Sequence, residues 1–166
     1  MRVLIVSDTH GHEENLERIL TEKGPFQHLI HLGDVEGQED YIEVIAGCPV
    51  HIVAGNNDFF SDLPREEDFW IKNYHIFITH GHYYGVSVGT DRLCEEAAFR
   101  NAKVAMYGHT HRPEIEEKNG ITILNPGSLS YPRQIGRKPS YIIMEIDGAG
   151  KAKYTIYYLY EKSQIP

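Results

Sequence analysis

The chain of 166 residues has the composition of an ordinary globular protein, with 41% hydrophobic and 24% charged residues. Its net charge is −8, from 16 basic and 24 acidic residues with histidine neutral, which argues against a protein that binds nucleic acid through a basic surface. An anionic substrate stays compatible with this charge, because bound divalent cations reverse the sign of the field locally.

No apolar run reaches the length of a membrane span, and the start of the chain lacks the pattern of a secretory signal. Cys48 and Cys94 lie outside any C-x-x-C spacing and are predicted to be reduced thiols that pack as small hydrophobes. These observations predict one domain over residues 1–166, located in the cytoplasm and without a membrane partner. Whether the chain forms a homodimer stays open.

The first half of the chain alternates predicted strands with predicted helices. Strands are predicted at residues 2–7, 28–33 and 50–55, and helices at residues 12–23 and 39–47. Gly24 and Pro25 are predicted to end the first helix. Strands that alternate with helices predict a mainly parallel sheet reached by crossover connections.

The second half has a different pattern. Residues 68–81 predict two strands around a turn near Asn73, followed by a helix at residues 90–102 and a strand at residues 103–111. Two hairpins are then predicted, at residues 114–125 with Asn119 and Gly120 in the turn, and at residues 140–160. The C-terminal third is therefore predicted to be antiparallel. An α/β sandwich of two sheets fits this change better than one doubly wound sheet.

A polar cluster follows each of five predicted strands. The clusters are Asp8-Thr9-His10, Gly33-Asp34, Gly55-Asn56-Asn57-Asp58, His80-Gly81-His82 and Gly108-His109-Thr110-His111. Because the carboxyl ends of parallel strands meet at one edge of a sheet, these clusters are predicted to be neighbours in space. Each cluster alone is typical of an ordinary turn or solvated loop, but five in this position favour a binding site.

The clusters offer seven candidate metal ligands: two carboxylates, one amide oxygen and four imidazoles. They are Asp8, Asp34, Asn56, His10, His80, His109 and His111. This mixture suits manganese, iron, nickel, cobalt or zinc and suits calcium poorly. Seven ligands exceed the needs of one four-coordinate ion, so the set predicts two ions that share a bridging carboxylate.

The segments SDTHG, HLGD, GNND, THGH and GHTH, spread over residues 7–111, resemble the five motifs of the calcineurin-like metallophosphoesterase superfamily. More narrowly, they resemble its small prokaryotic phosphodiesterase branch, which lacks large insertions. This resemblance implies a four-layer α/β/β/α sandwich of two mixed sheets. It also implies two divalent metal ions per chain, with manganese as the first expectation and nickel, iron, cobalt or zinc as alternatives.

The resemblance assigns each candidate ligand to one of the two ions. It implies that Asp8, His10 and His111 bind one ion, that Asn56, His80 and His109 bind the other, and that Asp34 bridges both. A hydroxide activated between the ions would attack a small phosphodiester, with Asp34 and Asn56 as part of the catalytic site. Extended nucleic acid is not expected as a substrate.

Three further positions have roles that the sequence leaves open. Asn57 occupies a position where many family members have a histidine that acts as general acid, although the small phosphodiesterase branch tends to lack it. Asp58 is predicted to orient a ligand side chain or its loop. His82 either contacts the phosphate or leaving group, or is an exposed loop histidine.

Four basic residues follow the last motif: Arg112, Arg133, Arg137 and Lys138. One of them is predicted to clamp a substrate phosphate, or else the segment is a solvated loop. The predicted function is a dinuclear metal-dependent phosphodiesterase. Two alternatives are a phosphomonoesterase and a non-catalytic protein-binding scaffold, such as a subunit of the eukaryotic retromer coat that has the same fold.

Overall fold

Two five-stranded sheets form the centre of the fold in the computed structural model, which describes residues 1–160. The strands are β1 (Arg2–Val6), β2 (His28–His31), β3 (Val50–Ile52), β4 (Glu66–Ile71), β5 (Tyr74–Thr79), β6 (Val104–Met106), β7 (Pro113–Lys118), β8 (Ile121–Pro126), β9 (Ser140–Ile146) and β10 (Ala152–Tyr158). The helices are α1 (Glu14–Lys23), α2 (Glu39–Ala46) and α3 (Asp91–Phe99). The end of the predicted domain, residues 161–166, lies outside the described residues.

The first sheet has the strand order β10-β9-β1-β2-β3. Strands β1, β2 and β3 are parallel, as predicted, and β9 runs antiparallel to both β1 and β10. The hairpin of β9 and β10 therefore extends the parallel part of the sheet by two antiparallel strands.

The second sheet has the strand order β4-β5-β6-β8-β7, with β5, β6 and β8 parallel. The predicted hairpin around Asn119 and Gly120 is confirmed, since β7 and β8 are antiparallel. The prediction of a wholly antiparallel C-terminal third is wrong, because β8 also pairs in parallel with β6. The alternation of side chains in a strand shows that it has two faces, but it does not show which strands flank it.

The two sheets pack face to face, and the helices cover their outer faces. Along β1, Val3 and Ile5 pack between the sheets, whereas Leu4 and Val6 pack beneath α1 and α2. Helix α3 covers the second sheet with side chains that include Leu93. The central strands are therefore buried on both faces, which explains why their sequences are continuously apolar. The predicted four-layer α/β/β/α sandwich is confirmed.

Several predicted boundaries shift by a few residues. Helix α1 begins at Glu14 instead of His12, because the amide of His12 donates to Thr9 O at 2.9 Å and closes a turn before the helix. It ends at Lys23, before Gly24, as predicted. Both cysteines are free thiols. Within residues 1–160, no helix combines the length and the apolar character that crossing a membrane requires.

Candidate metal centre

The loops that follow the parallel strands of both sheets are joined by hydrogen bonds. In the first sheet the amide of Asp8 donates to Gly33 O at 3.1 Å, and in the second the amide of Gly108 donates to His80 O at 3.1 Å. One bond crosses between the sheets, from the amide of His109 to Asp8 Oδ2 at 3.1 Å. The predicted clusters therefore lie side by side at one edge of the sandwich.

Most of the candidate ligands lie on strained backbone. Five of the seven have a positive φ, between 49° and 67°, which side chains other than glycine rarely adopt. These five are Asp8, His10, Asp34, His109 and His111. Each such residue costs roughly 1 kcal/mol or more, and strained residues of this kind cluster at functional sites. The folded structure therefore holds these side chains in place against a local cost.

Four candidate ligands converge on one point, because their ligand atoms all lie within 4.8 Å of one another. The four are Asp8, His10, Asp34 and His111. The Nε2 atoms of His10 and His111 are 3.4 Å apart, and His111 Nε2 lies 3.1 Å from Asp8 Oδ1. Asp34 Oδ2 lies 3.7 Å from His10 Nε2. This cluster, the first ligand group, contains the predicted ligands of one ion together with the predicted bridge.

The second ligand group consists of Asn56, His80 and His109. Asn56 Oδ1 lies 3.0 Å from His80 Nε2 and 2.8 Å from His109 Nδ1. Asp34 Oδ2, which belongs to the first group, lies 3.5 Å from His80 Nε2. Asp34 therefore stands between the two groups, as a bridging carboxylate would.

Hydrogen bonds on the outer side of two rings determine which nitrogen faces the site. His80 Nδ1 lies 2.6 Å from Leu32 O, and His111 Nδ1 lies 2.7 Å from Tyr131 O. A carbonyl oxygen only accepts, so each Nδ1 carries a hydrogen, and the neutral form of either ring would direct its Nε2 lone pair inward. This is the tautomer that binds a metal ion through Nε2.

One inner atom, Asp8 Oδ1, lacks among residues 1–160 the hydrogen-bond partner that it would need without a cation. Asp8 is fully buried, and its Oδ1 makes no hydrogen bond of normal geometry with any described residue. Lone pairs of carboxylate and imidazole that face one another repel unless a proton or a cation lies between them. The donor set of carboxylate, amide oxygen and imidazole therefore fits a divalent transition-metal ion.

The electrostatic couplings agree with this arrangement. Burial alone would raise the pKa of Asp8, but the contact with His111 and the nearby His80 ring outweigh it and lower the pKa. Burial opposes protonation of His111, yet Asp8 raises the pKa of that ring. Burial lowers the pKa of His109. Asp8 therefore attracts positive charge to the site, and a proton on His111 would compete with a metal ion.

Comparison with known proteins identifies the family. A sequence model described as a calcineurin-like phosphoesterase superfamily domain matches residues 1–149. The chain belongs to this superfamily. The prediction made from the five motifs is therefore confirmed.

Two relatives illustrate the range of names within the superfamily. The chain is 33% identical over 148 residues to the probable metallophosphoesterase YsnB of Bacillus subtilis, in a match that covers 89% of the chain and 85% of the relative. It is 29% identical over 171 residues to the phosphodiesterase YfcE of Escherichia coli K12, with 89% of each chain covered.

Two solved structures have the same fold. A predicted phosphoesterase from Streptococcus pneumoniae aligns with a TM-score of 0.78 at 25% identity, covering 95% of this chain and 97% of the other. Vps29 of Entamoeba histolytica, solved in complex with zinc, aligns with a TM-score of 0.75 at 26% identity, covering 95% and 99%. The fold of this chain is therefore shared by proteins with different names.

Asn57 makes contacts that the sequence did not reveal. Its side-chain Nδ2 donates to Asp34 Oδ2 at 2.8 Å, and its backbone amide donates to Asp34 Oδ1 at 2.8 Å. The residue that replaces the histidine of many family members therefore orients the shared carboxylate. No pattern in the sequence indicates this contact, because it depends on how two separate loops meet.

Asp58 lies behind the same loops. Its Oδ2 accepts the amides of Asp34 (2.8 Å) and Gly55 (2.7 Å), and its Oδ1 accepts the amide of Glu36 (2.7 Å). It therefore ties the loop after β3 to the loop after β2. Asp58 is predicted to orient a ligand side chain or its loop, and these contacts are to the loops; its part in catalysis stays a prediction.

Glu36 is a further residue that sequence reasoning missed. Its Oε1 lies 2.7 Å from His10 Nδ1 and accepts a hydrogen bond from it, which turns Nε2 toward the other ligands. Glu36 thus does for His10 what backbone carbonyls do for His80 and His111. Its place, two residues after the shared Asp34, is the one signal that could have suggested it.

His82 lies beside the second ligand group. Its ring centroid is 5.4 Å from that of His80 and 6.0 Å from that of His109, and its Nδ1 is buried without a hydrogen-bond partner among the described residues. Burial lowers the pKa of His82, and the neighbouring histidines add to this effect. His82 is therefore half-buried at the edge of the site, and not a fully exposed loop histidine.

Proposed function

We propose that this chain is a metal-dependent phosphodiesterase that hydrolyses a small phosphodiester at a site for two divalent cations. The observation that carries the proposal is the position of Asp34 Oδ2. It lies 3.7 Å from His10 Nε2 in the first ligand group and 3.5 Å from His80 Nε2 in the second. One carboxylate between two sets of inward-facing imidazoles is the arrangement that a dinuclear site requires.

The cations, when bound, would supply a water molecule of lowered pKa and neutralise charge on the phosphoryl oxygens. The chain itself supplies orientation. Leu32 O and Tyr131 O fix two of the imidazoles, and Asn57 fixes the shared carboxylate. His82 shares a cleft with Asn56, so we assign it a contact with the bound phosphate group. A site held in place in this way needs little reorganisation during reaction.

A diester is favoured over a monoester by the position of Asn57. Its amide bonds to Asp34, and an amide cannot donate a proton as a general acid. Departure of a poor leaving group therefore lacks the assistance that a histidine at this position would give. The name of the Escherichia coli relative, phosphodiesterase, supports the same substrate class.

The decisive experiment combines metal analysis with a pair of substrates. The protein is loaded with manganese, its metal content is measured, and hydrolysis of bis(p-nitrophenyl) phosphate is compared with that of p-nitrophenyl phosphate. We expect two ions per chain and faster hydrolysis of the diester. In Asp34→Ala we expect loss of the second ion and of activity, whereas Asp62→Ala, which removes an exposed carboxylate, should behave like the wild type. Near-normal turnover in Asp34→Ala would refute the bridging role.

A protein-binding scaffold is the second candidate. Phe59 and Phe60 are exposed directly after the loop of Asn56, at 78% and 104% of the reference surface, and could contact a partner. Vps29, a protein of the same fold, was solved with zinc bound, so metal content alone does not distinguish the candidates. Full metal loading without hydrolysis of either ester would favour the scaffold.

A further inference from the structure

An open cleft of about 830 Å³ adjoins the first ligand group. Its lining includes His10 and His111, Tyr131 and three arginines. The arginines are Arg112, Arg133 and Arg137. Clefts of this size are typical of sites for small molecules. We call this feature the arginine cleft.

The three arginines make no ion pair with any residue in the range 1–160. Among the other arginines, Arg2 pairs with Glu145 at 3.7 Å and Arg18 with Glu22 at 3.0 Å. Arg65 and Arg92 also have no ion pair within residues 1–160, so the three are distinguished by lining one cleft together. In a protein with a net charge of −8, acidic partners are abundant. The three guanidinium groups are exposed, line one cleft and have no acidic partner in the described part of the chain, so they are available to bind an anion.

The cleft is tied to the first ligand group through the backbone. The amide of Arg133 donates to His111 O at 3.0 Å, and His111 Nδ1 donates to Tyr131 O at 2.7 Å. Arg112 follows His111 directly in the chain. Lys138 is different, because its ammonium lies over the ring of Tyr160 at 4.0 Å and is not part of the cleft lining.

We propose that the arginine cleft binds a second phosphate group of the substrate, so that the preferred diester also carries a terminal phosphate. This inference rests on the proposed function. A terminal phosphate has up to two negative charges, and guanidinium groups bind phosphate oxygens through paired hydrogen bonds. The cleft begins at His10 and His111, so a substrate whose scissile phosphate lies at the ligand groups can extend into it.

A pair of matched diesters tests the inference by kinetics. The substrates are the p-nitrophenyl ester of thymidine 5′-phosphate and the same compound with an added 3′-phosphate. We expect the manganese-loaded wild type to have a kcat/KM about tenfold higher for the phosphorylated substrate, mainly through KM. In the double variant Arg133→Gln/Arg137→Gln this ratio should fall to about one. The ratio divides out any general loss of activity.

A binding measurement separates this inference from the proposed function. Calorimetry on the manganese-loaded protein compares thymidine 3′,5′-bisphosphate with thymidine 5′-monophosphate, neither of which is a diester. We expect at least about tenfold tighter binding of the bisphosphate, lost in the double variant. The control is Arg92→Gln, an exposed arginine on α3, which should keep the preference.

The outcomes distinguish the two claims. Equal affinities for the two nucleotides, or no binding of either, would overturn the arginine cleft as a phosphate site. A preference for the bisphosphate without hydrolysis of any diester would support the cleft and refute the proposed phosphodiesterase. Hydrolysis of both diesters at equal kcat/KM would leave the phosphodiesterase intact and overturn the cleft.

Discussion

Asn57 holds both carboxylate oxygens of Asp34, one through its side-chain amide and one through its backbone amide, each at 2.8 Å. The shared carboxylate is thereby oriented by the residue that follows the candidate ligand Asn56. Two predictions follow from this pair of hydrogen bonds.

Replacing Asn57 by alanine removes the bond to Asp34 Oδ2 and keeps the backbone bond. We expect manganese affinity to fall by roughly 10- to 100-fold, the usual cost of losing a group that orients a metal ligand. Isothermal titration of the metal-free protein measures the change. Asn73→Ala, in the exposed turn between β4 and β5, is the control. Unchanged affinity in Asn57→Ala would mean that Asp34 needs no such support.

Replacing Asn57 by histidine tests whether the chain lacks a general acid for the leaving group at this position. We expect hydrolysis to become less sensitive to the leaving group, because an imidazolium can protonate a poor one. The rate for good leaving groups should fall, since the bond to Asp34 is lost. A series of aryl phosphodiesters, plotted as rate against leaving-group pKa, measures this sensitivity. An unchanged slope would contradict the idea that Asn57 leaves the site without a general acid for the leaving group.

Gly55 is a position where any side chain collides with the shared carboxylate. A Cβ there would overlap Asp34 Oδ1 and the Asp34 backbone nitrogen, and would lie 2.8 Å from Asp34 Cγ. We expect Gly55→Ala to lower the free energy of unfolding by about 1–3 kcal/mol and to reduce metal binding more than tenfold. Gly148→Ala, whose Cβ would meet nothing within 4 Å, should be neutral in urea unfolding and metal titration. Equal stability and equal metal affinity in the two variants would contradict the close approach of Gly55 to Asp34.

Metal retention should depend on pH through the ligand histidines, which bind a cation only when neutral. We expect the metal content to decline as the pH falls below about 6. Elemental analysis of the protein after dialysis at each pH measures this decline. Asp8 raises the pKa of His111, whereas burial lowers that of His109. In NMR titrations of the metal-free protein, His111 should therefore take up its proton at a higher pH than His109. The reverse order would contradict the coupling of Asp8 with His111.

Glu13 is expected to make stability depend on pH. The residue is 5% exposed, neither carboxylate oxygen has a hydrogen-bond partner among the described residues, and burial raises its pKa from 4.5 to about 7. Glu14 and Glu17 raise it further, whereas Thr9 opposes the shift. The folded protein keeps the Glu13 proton up to about pH 7, whereas the unfolded chain releases it above pH 4.5. The free energy of unfolding is therefore expected to decrease as the pH rises from 4.5 to 7.

The variant Glu13→Gln removes this penalty. We expect a gain of about 2–3 kcal/mol in the free energy of unfolding at pH 8, and little change at pH 4. Urea unfolding at both pH values measures it, with Glu43→Gln on the exposed face of α2 as the control. Equal effects at the two pH values would show that Glu13 does not titrate on unfolding.

The sequence predicted the placement of the site because each cluster follows an apolar strand. In β1 the run up to Val6 is buried on both faces, so the polar Asp8 that follows could only lie at the sheet edge. The structure brings all seven candidate ligands to that edge, and their role as ligands stays a prediction. The order of strands in the second sheet could not be predicted in the same way, because no local sequence pattern indicates that β8 pairs with β6.

The supporting contacts could not be predicted from local pattern. Glu36 bonds to His10 and Asn57 bonds to Asp34, over sequence separations of 26 and 23 residues. Each contact requires two loops to meet at a particular angle, which periodicity and composition do not encode. The left-handed backbone of His109 and His111 is a similar case, since only the assembled structure shows it.

The candidate ligands are divided between the two halves of the sandwich. Asp8, His10, Asp34 and Asn56 follow strands of the first sheet, whereas His80, His109 and His111 follow strands of the second. An ion held by both would act as a cross-link, and its binding energy would count directly toward folding, at about 2.7 kcal/mol when free metal exceeds Kd a hundredfold. The halves could then not slide past one another without breaking coordination, so catalysis and architecture would depend on the same few bonds.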